Sequence, residues 1–497
     1  MNFKKYIKES YLPYKKELIV ILLLSLSFII GFSIESYSIA VLPIALLVTA
    51  LFFINFKAGL YITAFILPFS LNISYKLLGV TLNTPLEPFL FILTILTIYH
   101  IGFKGIDSRL VKHPVSIFIT LLWFCFFLSC CFSASPFTSL RIALQTFAFV
   151  IPAYWGVLYI SQTDKTFPGK LLATSLFSFS LLSCINFFKH ANNGFSRAVA
   201  WDIPNPFYTD HTIYATMAAF MIPLAFVLMI WYAQKNLLLF LLNLFLLLLC
   251  FSALILSYSR GALLSVAIAF ALYVIIRWKI SWKFILSVAM ITVVILFVYK
   301  DDISMSLRRN RAESKARKTN IESQLKSVAN VTNDVSNLER INRWSSAYRM
   351  IQIKPFFGFG YGMYQHSYFA YQKEHDMTVI SIRNPQSHYE AGTGGTAHSE
   401  YLLMSSENGI LAGLLYISIL VSGIIYTVKN IEYTYRHDYT YYLILGLGMS
   451  LTTYIVHSFF NNFLDTAKIN FVFYAILAAI VSLNIVLKEP TSQKIIN

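Results

Sequence analysis

The chain alternates long apolar runs with short polar segments, and this pattern predicts its secondary structure. Most runs are about 18–22 residues long, the length that an α-helix needs to cross a bilayer. The second and third runs are close enough together to form one re-entrant unit. The pattern predicts an all-α polytopic integral membrane protein with about 12–14 transmembrane helices. The predicted helices lie near residues 18–34, 38–55, 58–74, 86–103, 115–133, 139–161, 170–188, 211–232, 237–257, 261–277, 283–299, 409–428, 441–460 and 469–487.

Composition supports the membrane class. Only 12% of the 497 residues are charged and 57% are hydrophobic, whereas soluble domains carry about 25% charged residues. The net charge of +16 does not indicate a nucleic-acid partner, because basic residues of membrane proteins collect in cytoplasmic loops. The five cysteines all lie inside apolar runs, so they predict neither a disulfide framework nor a metal site.

The distribution of lysine and arginine predicts the orientation. Basic residues are frequent in alternate polar segments, beginning with the N-terminal segment ahead of residue 18. Because cytoplasmic segments carry the excess of positive charge, both termini are expected in the cytoplasm. The short segments on the opposite side hold only a few basic residues, namely Lys76, Lys189, Arg197, Arg260 and Lys468.

The longest polar segment, residues 300–408, is expected to be an extracytoplasmic loop. A loop of about 100 residues between closely spaced helices is unusually long, and such loops commonly carry function. It separates an N-terminal bundle of about 11 helices at 1–299 from the C-terminal helices at 409–497. Its basic stretch 308–330 indicates either a solvated segment or attraction of an anionic lipid or glycan.

Two predicted outer segments ahead of the large loop hold candidate binding residues. Arg260 lies between two long apolar helices. A guanidinium at membrane depth commonly marks a partner or a substrate, and its planar donors suit phosphate oxygens. The alternative is an arginine whose head reaches the interface. Residues 190–210 mix aromatic, charged and proline residues ahead of His211, which indicates either an interfacial anchor or a substrate-contacting loop.

Inside the large loop, Ser336 and Glu339 fit a capping box. A helix is therefore predicted from about Asn337 to just before Pro355. After Pro355, three glycines alternate with aromatic residues over 358–362, which suggests a tight backbone packed against the membrane surface.

The predicted loop helix carries two arginines. Arg340 and Trp344 are four residues apart and share a face, and Arg343 lies near the same face. Solvated arginines on an amphipathic helix are the alternative interpretation.

His398 closes the large loop. A neutral imidazole accepts a proton near pH 7, so it suits a general base. Glu400 is close enough in the sequence to orient it. A structural histidine is the alternative. The chain has no spacing typical of a zinc site, so no metal is predicted.

The order of these pieces resembles the O-antigen ligase and O-antigen polymerase family of bacterial envelope glycan enzymes. The resemblance covers about residues 255–415, and the family more often has asparagine where this chain has Ser399. The matching features are Ser259-Arg260-Gly261 at a helix end, Glu339-Arg340-x-x-x-Trp344 leading into Pro355-Phe356-Phe357-Gly358-x-Gly360-x-Gly362, and His398 followed by Glu407-Asn408-Gly409-Ile410.

The resemblance implies an inverting glycosyltransferase of the bacterial inner membrane that needs no metal, nucleotide or other cofactor. Its donor would be a glycan on undecaprenyl diphosphate. Arg260 and Arg340 match the arginines thought to hold the diphosphate, and His398 matches the histidine thought to activate the acceptor hydroxyl. Residues expected to support this site are Arg343, Trp344, Glu400 and His211.

The acceptor stays open at this stage. It is the lipid A core in a ligase, another lipid-linked repeat in an O-antigen or exopolysaccharide polymerase, and a serine or threonine in a protein O-oligosaccharyltransferase. The expected partners are the lipid-linked glycan, an acceptor glycolipid or glycan, and membrane lipids. A hypothesis of a different class is a transporter of lipid-linked glycans, which would carry charged residues in mid-helix and an internal repeat.

Overall fold

The computed structural model describes residues 49–75, 80–281, 335–373, 395–436 and 438–488, with single positions between 287 and 299. The predicted helix at 18–34, most of those at 38–55 and 283–299, and the basic stretch 308–330 lie outside these residues. The chain divides into two units, Met1–Thr63 and Ala64–Asn497. The described part of the first unit is helical, and the site discussed below lies in the second.

Helices form almost all of the described second unit. Nine of the described helices, α2 to α8, α11 and α13, are long and apolar enough to cross a membrane, which confirms the all-α polytopic membrane class. Apart from one-turn helices such as Ser108–Val111 and Tyr364–Ser367, the described helices are α1 (Phe56–Ile66), α2 (Leu86–Lys104), α3 (Pro114–Cys131), α4 (Pro136–Ser161), α5 (Phe167–Ala191), α6 (His211–Tyr232), α7 (Leu237–Leu256), α8 (Arg260–Trp278), α9 (Val335–Ile353), α10 (Glu400–Asn408), α11 (Ile410–Glu432), α12 (Tyr439–His457) and α13 (Ala467–Leu487).

The prediction of a helix at 58–74 is wrong at its C-terminal end. A 3-10 turn at Leu67–Phe69 follows α1, and the chain then forms strand β1 (Leu71–Tyr75). This strand pairs antiparallel with β2 (Val80–Thr84). Apolar and polar residues alternate along β1, and a period of two residues favours a strand over a helix.

Helix α13 is the centre of the bundle, and 89% of the residues in its most apolar stretch are buried. It packs against α4, α5 and α11, whereas α6, α8 and α12 pack against one another. Helices α7 and α8 lie at the periphery, with 33% and 22% buried, so most of their apolar surface is available to lipid.

Contacts between helix ends define the two opposite ends of the bundle. At one end the C-terminus of α12 meets α6 through His457 and Thr216, and the end of α3 meets α10 through Ser129 and Asn408. At the opposite end the His113 ring packs 4.2 Å from that of Tyr426. The first end also carries α9 and α10, and we call it the site end. The segments predicted to lie outside the cytoplasm around residues 207, 260, 358 and 460 meet there.

Candidate active site

The glycine segment and the Glu407-Asn408-Gly409-Ile410 motif, about 50 residues apart in the sequence, pair through their backbones. The glycine segment 355–362 runs alongside the end of α10 and the start of α11. The pairing explains why both motifs occur in one chain, since each satisfies backbone groups of the other. Three hydrogen bonds join them: Phe359 N to Ser406 O at 3.1 Å, Gly360 N to Glu407 O at 2.8 Å and Ile410 N to Pro355 O at 2.8 Å.

Close approach requires glycine in this segment. Gly358 and Gly360 have φ of 66° and 101°, in the region that side-chain-bearing residues rarely adopt. A Cβ at Gly358 would lie 2.3 Å from the backbone of Glu407, and one at Gly360 would lie 2.4 Å from the side chain of Ser133. The predicted tight backbone is present, but its close neighbours are α10 and the end of α3.

Glu407 completes the pairing with its side chain. Its carboxylate oxygens accept hydrogen bonds from Gly362 N at 2.9 Å and Tyr364 N at 2.8 Å. Burial raises the pKa of Glu407 to about 8, although these two N–H donors act in the opposite direction. Glu407 therefore serves to fold the loop that carries α9 back onto α10.

Arg343 lies inside the folded loop. Its exposure is 5%, that of Glu339 is 4%, and Arg343 Nε donates to Glu339 Oε1 at 2.8 Å. The guanidinium also donates from Nη1 to Thr396 O at 3.1 Å and lies 4.9 Å from the Tyr368 ring centroid. A Cβ at Gly395 would be 2.2 Å from Arg343 Nη1. Arg343 thus holds the backbone that leads into His398.

Trp344 and the backbone conformation orient His398. Trp344 Nε1 donates to the carbonyl oxygen of His398 at 3.1 Å. His398 has a φ of 51°, a left-handed conformation that is uncommon outside glycine, between fully buried Ala397 and buried Ser399. Its own side chain is half-buried.

The imidazole of His398 is neutral at physiological pH. Burial, together with the positive charges of Arg343 and Arg340, lowers its pKa to about 4. A positive charge near an imidazole disfavours the protonated ring, as does burial. A neutral imidazole can accept a proton.

Glu400 holds a different part of the site from the one predicted. Its amide N donates to Ser458 O at 2.9 Å, and its Oε2 accepts from Tyr454 OH at 2.9 Å and Phe463 N at 3.0 Å. Burial raises the pKa of Glu400 to about 8. In the described structure no hydrogen bond joins Glu400 to His398, so Glu400 supports the histidine by fixing the neighbouring backbone to α12.

A short turn at the C-terminal end of α12, residues 457–461, contacts Arg340 and the neighbour of Arg260. Arg340 Nε donates to Phe460 O at 3.2 Å. On the other side of the turn, a Cβ at Gly261 would lie 3.8 Å from Phe460 Cβ, so the backbone next to Arg260 packs against the same residue. The helix predicted at 441–460 therefore ends early, at His457. The sequence signal for this turn is the polar run of Asn461, Asn462 and Asp465 between two apolar helices.

His211 lies at the edge of this group. Its ring centroid is 4.0 Å from that of Trp201, and its Nδ1 is 3.2 Å from Asp210 Oδ1. Burial raises the pKa of Asp210, but hydrogen bonds from His211 and Thr212 outweigh it and leave that pKa below its ordinary value. The negative charge of Asp210 also acts on His398, whose pKa it raises.

These contacts bring the sequence-predicted residues to one end of the bundle. Arg260, Arg340 and His398 are each half-buried, and all three adjoin the turn 457–461 or the residues bonded to it. The fold and the site thus define a class: a polytopic helical membrane protein with two guanidiniums and a neutral imidazole at the site end. Such a group can bind an anionic diphosphate and take a proton from a hydroxyl.

Comparison with known proteins agrees with this class. Residues 245–417 match the family described as O-antigen ligase, so this part of the chain is similar to that family. The match confirms the resemblance found in the sequence, and it contains Arg260, Arg340 and His398 together with both paired motifs. The comparison with curated proteins gives no match.

Proposed function

We propose that this protein is an O-antigen ligase-type glycosyltransferase. It moves a glycan from undecaprenyl diphosphate to an acceptor hydroxyl at the outer face of the bacterial inner membrane. The observation that carries the proposal is that the residues matched by the family include Arg260, Arg340 and His398, which the turn 457–461 and its contacts bring together. Both termini are then cytoplasmic, and the site end faces outward.

Arg260 and Arg340 bind the diphosphate of the donor. Arg260 is the first residue of α8, so the positive end of the helix dipole adds to its own charge. The Nε of Arg340 donates to Phe460 O, which holds its guanidinium at the turn 457–461. Preorganised cations stabilise the charge that develops on a diphosphate leaving group, so these two residues lower the barrier as the donor bond breaks.

His398 acts as the general base. Its neutral ring takes the proton from the acceptor hydroxyl as the hydroxyl oxygen attacks the anomeric carbon. The bond between that carbon and the phosphate oxygen breaks, and undecaprenyl diphosphate leaves with the electron pair. Attack from the face opposite the leaving group inverts the anomeric configuration. The arginines supply the charge stabilisation in this scheme, and the scheme uses no metal or nucleotide.

The lipid A core is the proposed acceptor. The test uses purified protein in nanodiscs with a lipid-linked donor and three acceptors: lipid A core, a second lipid-linked repeat, and a serine-containing protein. Glycan on lipid A core supports the ligase. Polymerised repeats or glycosylated protein would redirect the proposal to a polymerase or an oligosaccharyltransferase.

A deletion strain separates these outcomes in cells. Loss of a ligase leaves polymer on the lipid carrier while lipid A lacks polysaccharide, whereas loss of a polymerase leaves single repeats. Movement of donor across the membrane without transfer to any acceptor would instead favour the transporter and contradict the proposal.

A further inference from the structure

We propose that His457 is a positioning residue of the donor site, which fixes the turn 457–461 and thereby sets the spacing of Arg260 and Arg340. The inference rests on the proposed function for the nature of the ligand, a lipid-linked diphosphate. It assigns a role to a histidine that lies outside the residues matched by the family, 245–417.

The ring of His457 is anchored between two helices and the turn. His457 is the last residue of α12 and is fully buried. Its Nε2 lies 3.2 Å from Thr216 Oγ1 on α6 and 2.9 Å from Asn461 Nδ2. Because α6 is itself packed against α12, the ring ties the side chain of Asn461 to a rigid part of the bundle.

The backbone of His457 holds the same turn from the other side. Its carbonyl oxygen accepts hydrogen bonds from Phe460 N at 2.9 Å and Asn461 N at 3.2 Å. Residues 460 and 461 are therefore fixed by three contacts to one residue, two through the backbone and one through the imidazole. Loss of the imidazole removes the only one of the three that reaches a side chain.

The turn 457–461 contacts Arg340 directly and Arg260 through its neighbour Gly261. Phe460 O accepts from Arg340 Nε at 3.2 Å. Phe460 Cβ and Asn461 Nδ2 would lie 3.8 Å and 4.0 Å from a Cβ on Gly261, directly beside Arg260 in the chain. A shift of the turn therefore changes the distance between the two guanidiniums. A diphosphate presents two phosphates at a fixed separation, so its binding depends on that distance more than binding of a single phosphate does.

The His457 ring is buried although only one of its two nitrogens has hydrogen-bond partners among the described residues. The other ring nitrogen, Nδ1, is buried and has no hydrogen-bond partner among the described residues. An unpaired buried polar atom lowers stability, and an apolar side chain of similar size would avoid that loss. The contribution of His457 therefore lies in Nε2, which accepts from Asn461 Nδ2, while Thr216 Oγ1 on α6, whose hydroxyl donates to Thr212 O, lies against the same nitrogen at 3.2 Å.

The test compares His457→Ala with a matched control, His113→Ala. His113 is also a buried histidine, but it packs against Tyr426 at the opposite end of the bundle. Each purified variant is assayed for the KM of the lipid-linked donor and for inhibition by inorganic pyrophosphate and by orthophosphate. The pH profile of transfer is recorded as well, since His398 should set its acid limb.

We expect the donor KM of His457→Ala to rise about tenfold, the change that follows if the displaced turn costs the diphosphate one hydrogen bond from an arginine. The preference for pyrophosphate over orthophosphate should fall by a similar factor. The acid limb should stay where it is in the wild type. His457→Gln, whose amide can bond Asn461, should recover part of the preference, and His113→Ala should keep all of it. If His457→Ala does not fold, Asn461→Ala carries the same expectations, because it removes the amide and leaves the ring.

Two failures are distinguishable. If the wild type transfers glycan and is inhibited by pyrophosphate, while folded His457→Ala shows the wild-type KM and preference, only this inference is overturned. If the wild type neither transfers glycan nor responds to pyrophosphate, the proposed function fails and the inference fails with it.

Discussion

Arg343 and Arg340 are three residues apart on α9, and the structure predicts opposite consequences of replacing them. Arg343 and Glu339 form a buried ion pair at 2.8 Å, with exposures of 5% and 4%. Removing one partner of a buried pair costs about 3–5 kcal/mol, because the remaining charge stays buried without compensation. Arg343→Met should therefore destabilise the folded loop by about that amount. It also removes the bond to Thr396 O that holds the backbone before His398.

The assay is thermal unfolding of the purified protein in detergent, combined with limited proteolysis of the large loop. The matched control is Arg340→Met, the same chemical change at a half-buried site. We expect this variant to unfold within a few degrees of the wild type but to lose glycan transfer. The double variant with Glu339→Gln should be more stable than Arg343→Met alone, since neither charge is then left unpaired. Wild-type stability of Arg343→Met, or an Arg340→Met variant that transfers glycan normally, would refute the assignment of the two residues.

Three further predictions concern the paired motifs and the base. Glu407→Ala leaves two buried N–H groups without an acceptor, at about 1–3 kcal/mol each, so its unfolding temperature should fall further than that of Glu407→Gln; equal losses would contradict the contact. Gly360→Ala should destabilise the protein, and Ser133→Gly should restore part of the loss, because the new methyl would meet Ser133 at 2.4 Å; no rescue would count against this packing. Activity should be present above the pKa of His398 and be lost as the pH falls through about 4. Arg340→Gln removes a positive charge that lowers the pKa of His398, so the pH at which the residual activity is lost should rise. An unchanged pH of activity loss would show that the charge of Arg340 does not act on His398.

The helical part of the fold was predictable because bilayer thickness and backbone hydrogen bonding restrict the choice. Helix α6 covers 211–232 as expected, since Asp210 caps its first turn through Thr212 N at 2.6 Å. The hairpin at β1 and β2 was not predicted, because its alternating pattern is short and continues an apolar run. Turn 457–461 was also missed as part of the site. Its role depends on contacts with α8 and α9 that no local pattern contains.

The candidate site was predictable in its members more than in their roles. The four-residue spacing to Trp344 favoured Arg340 over Arg343 as the family arginine, but it did not show what Arg343 does, because both lie near one face. The position of Glu339 four residues before Arg343 was the one local signal for a structural pair. The glycine segment and the motif at 407–410 were recognised separately, and only their folded backbones show that each is the packing partner of the other.

The measurement that tests the central claim most directly is glycan transfer by purified His398→Ala, with donor binding measured on the same sample. The claim is that one neutral imidazole, next to two arginines that hold a lipid-linked diphosphate, activates the acceptor hydroxyl. We predict that kcat falls by about 10²–10⁴, the usual contribution of a general base, while affinity for the donor changes little. Transfer at the wild-type rate by a folded His398→Ala protein would contradict the account.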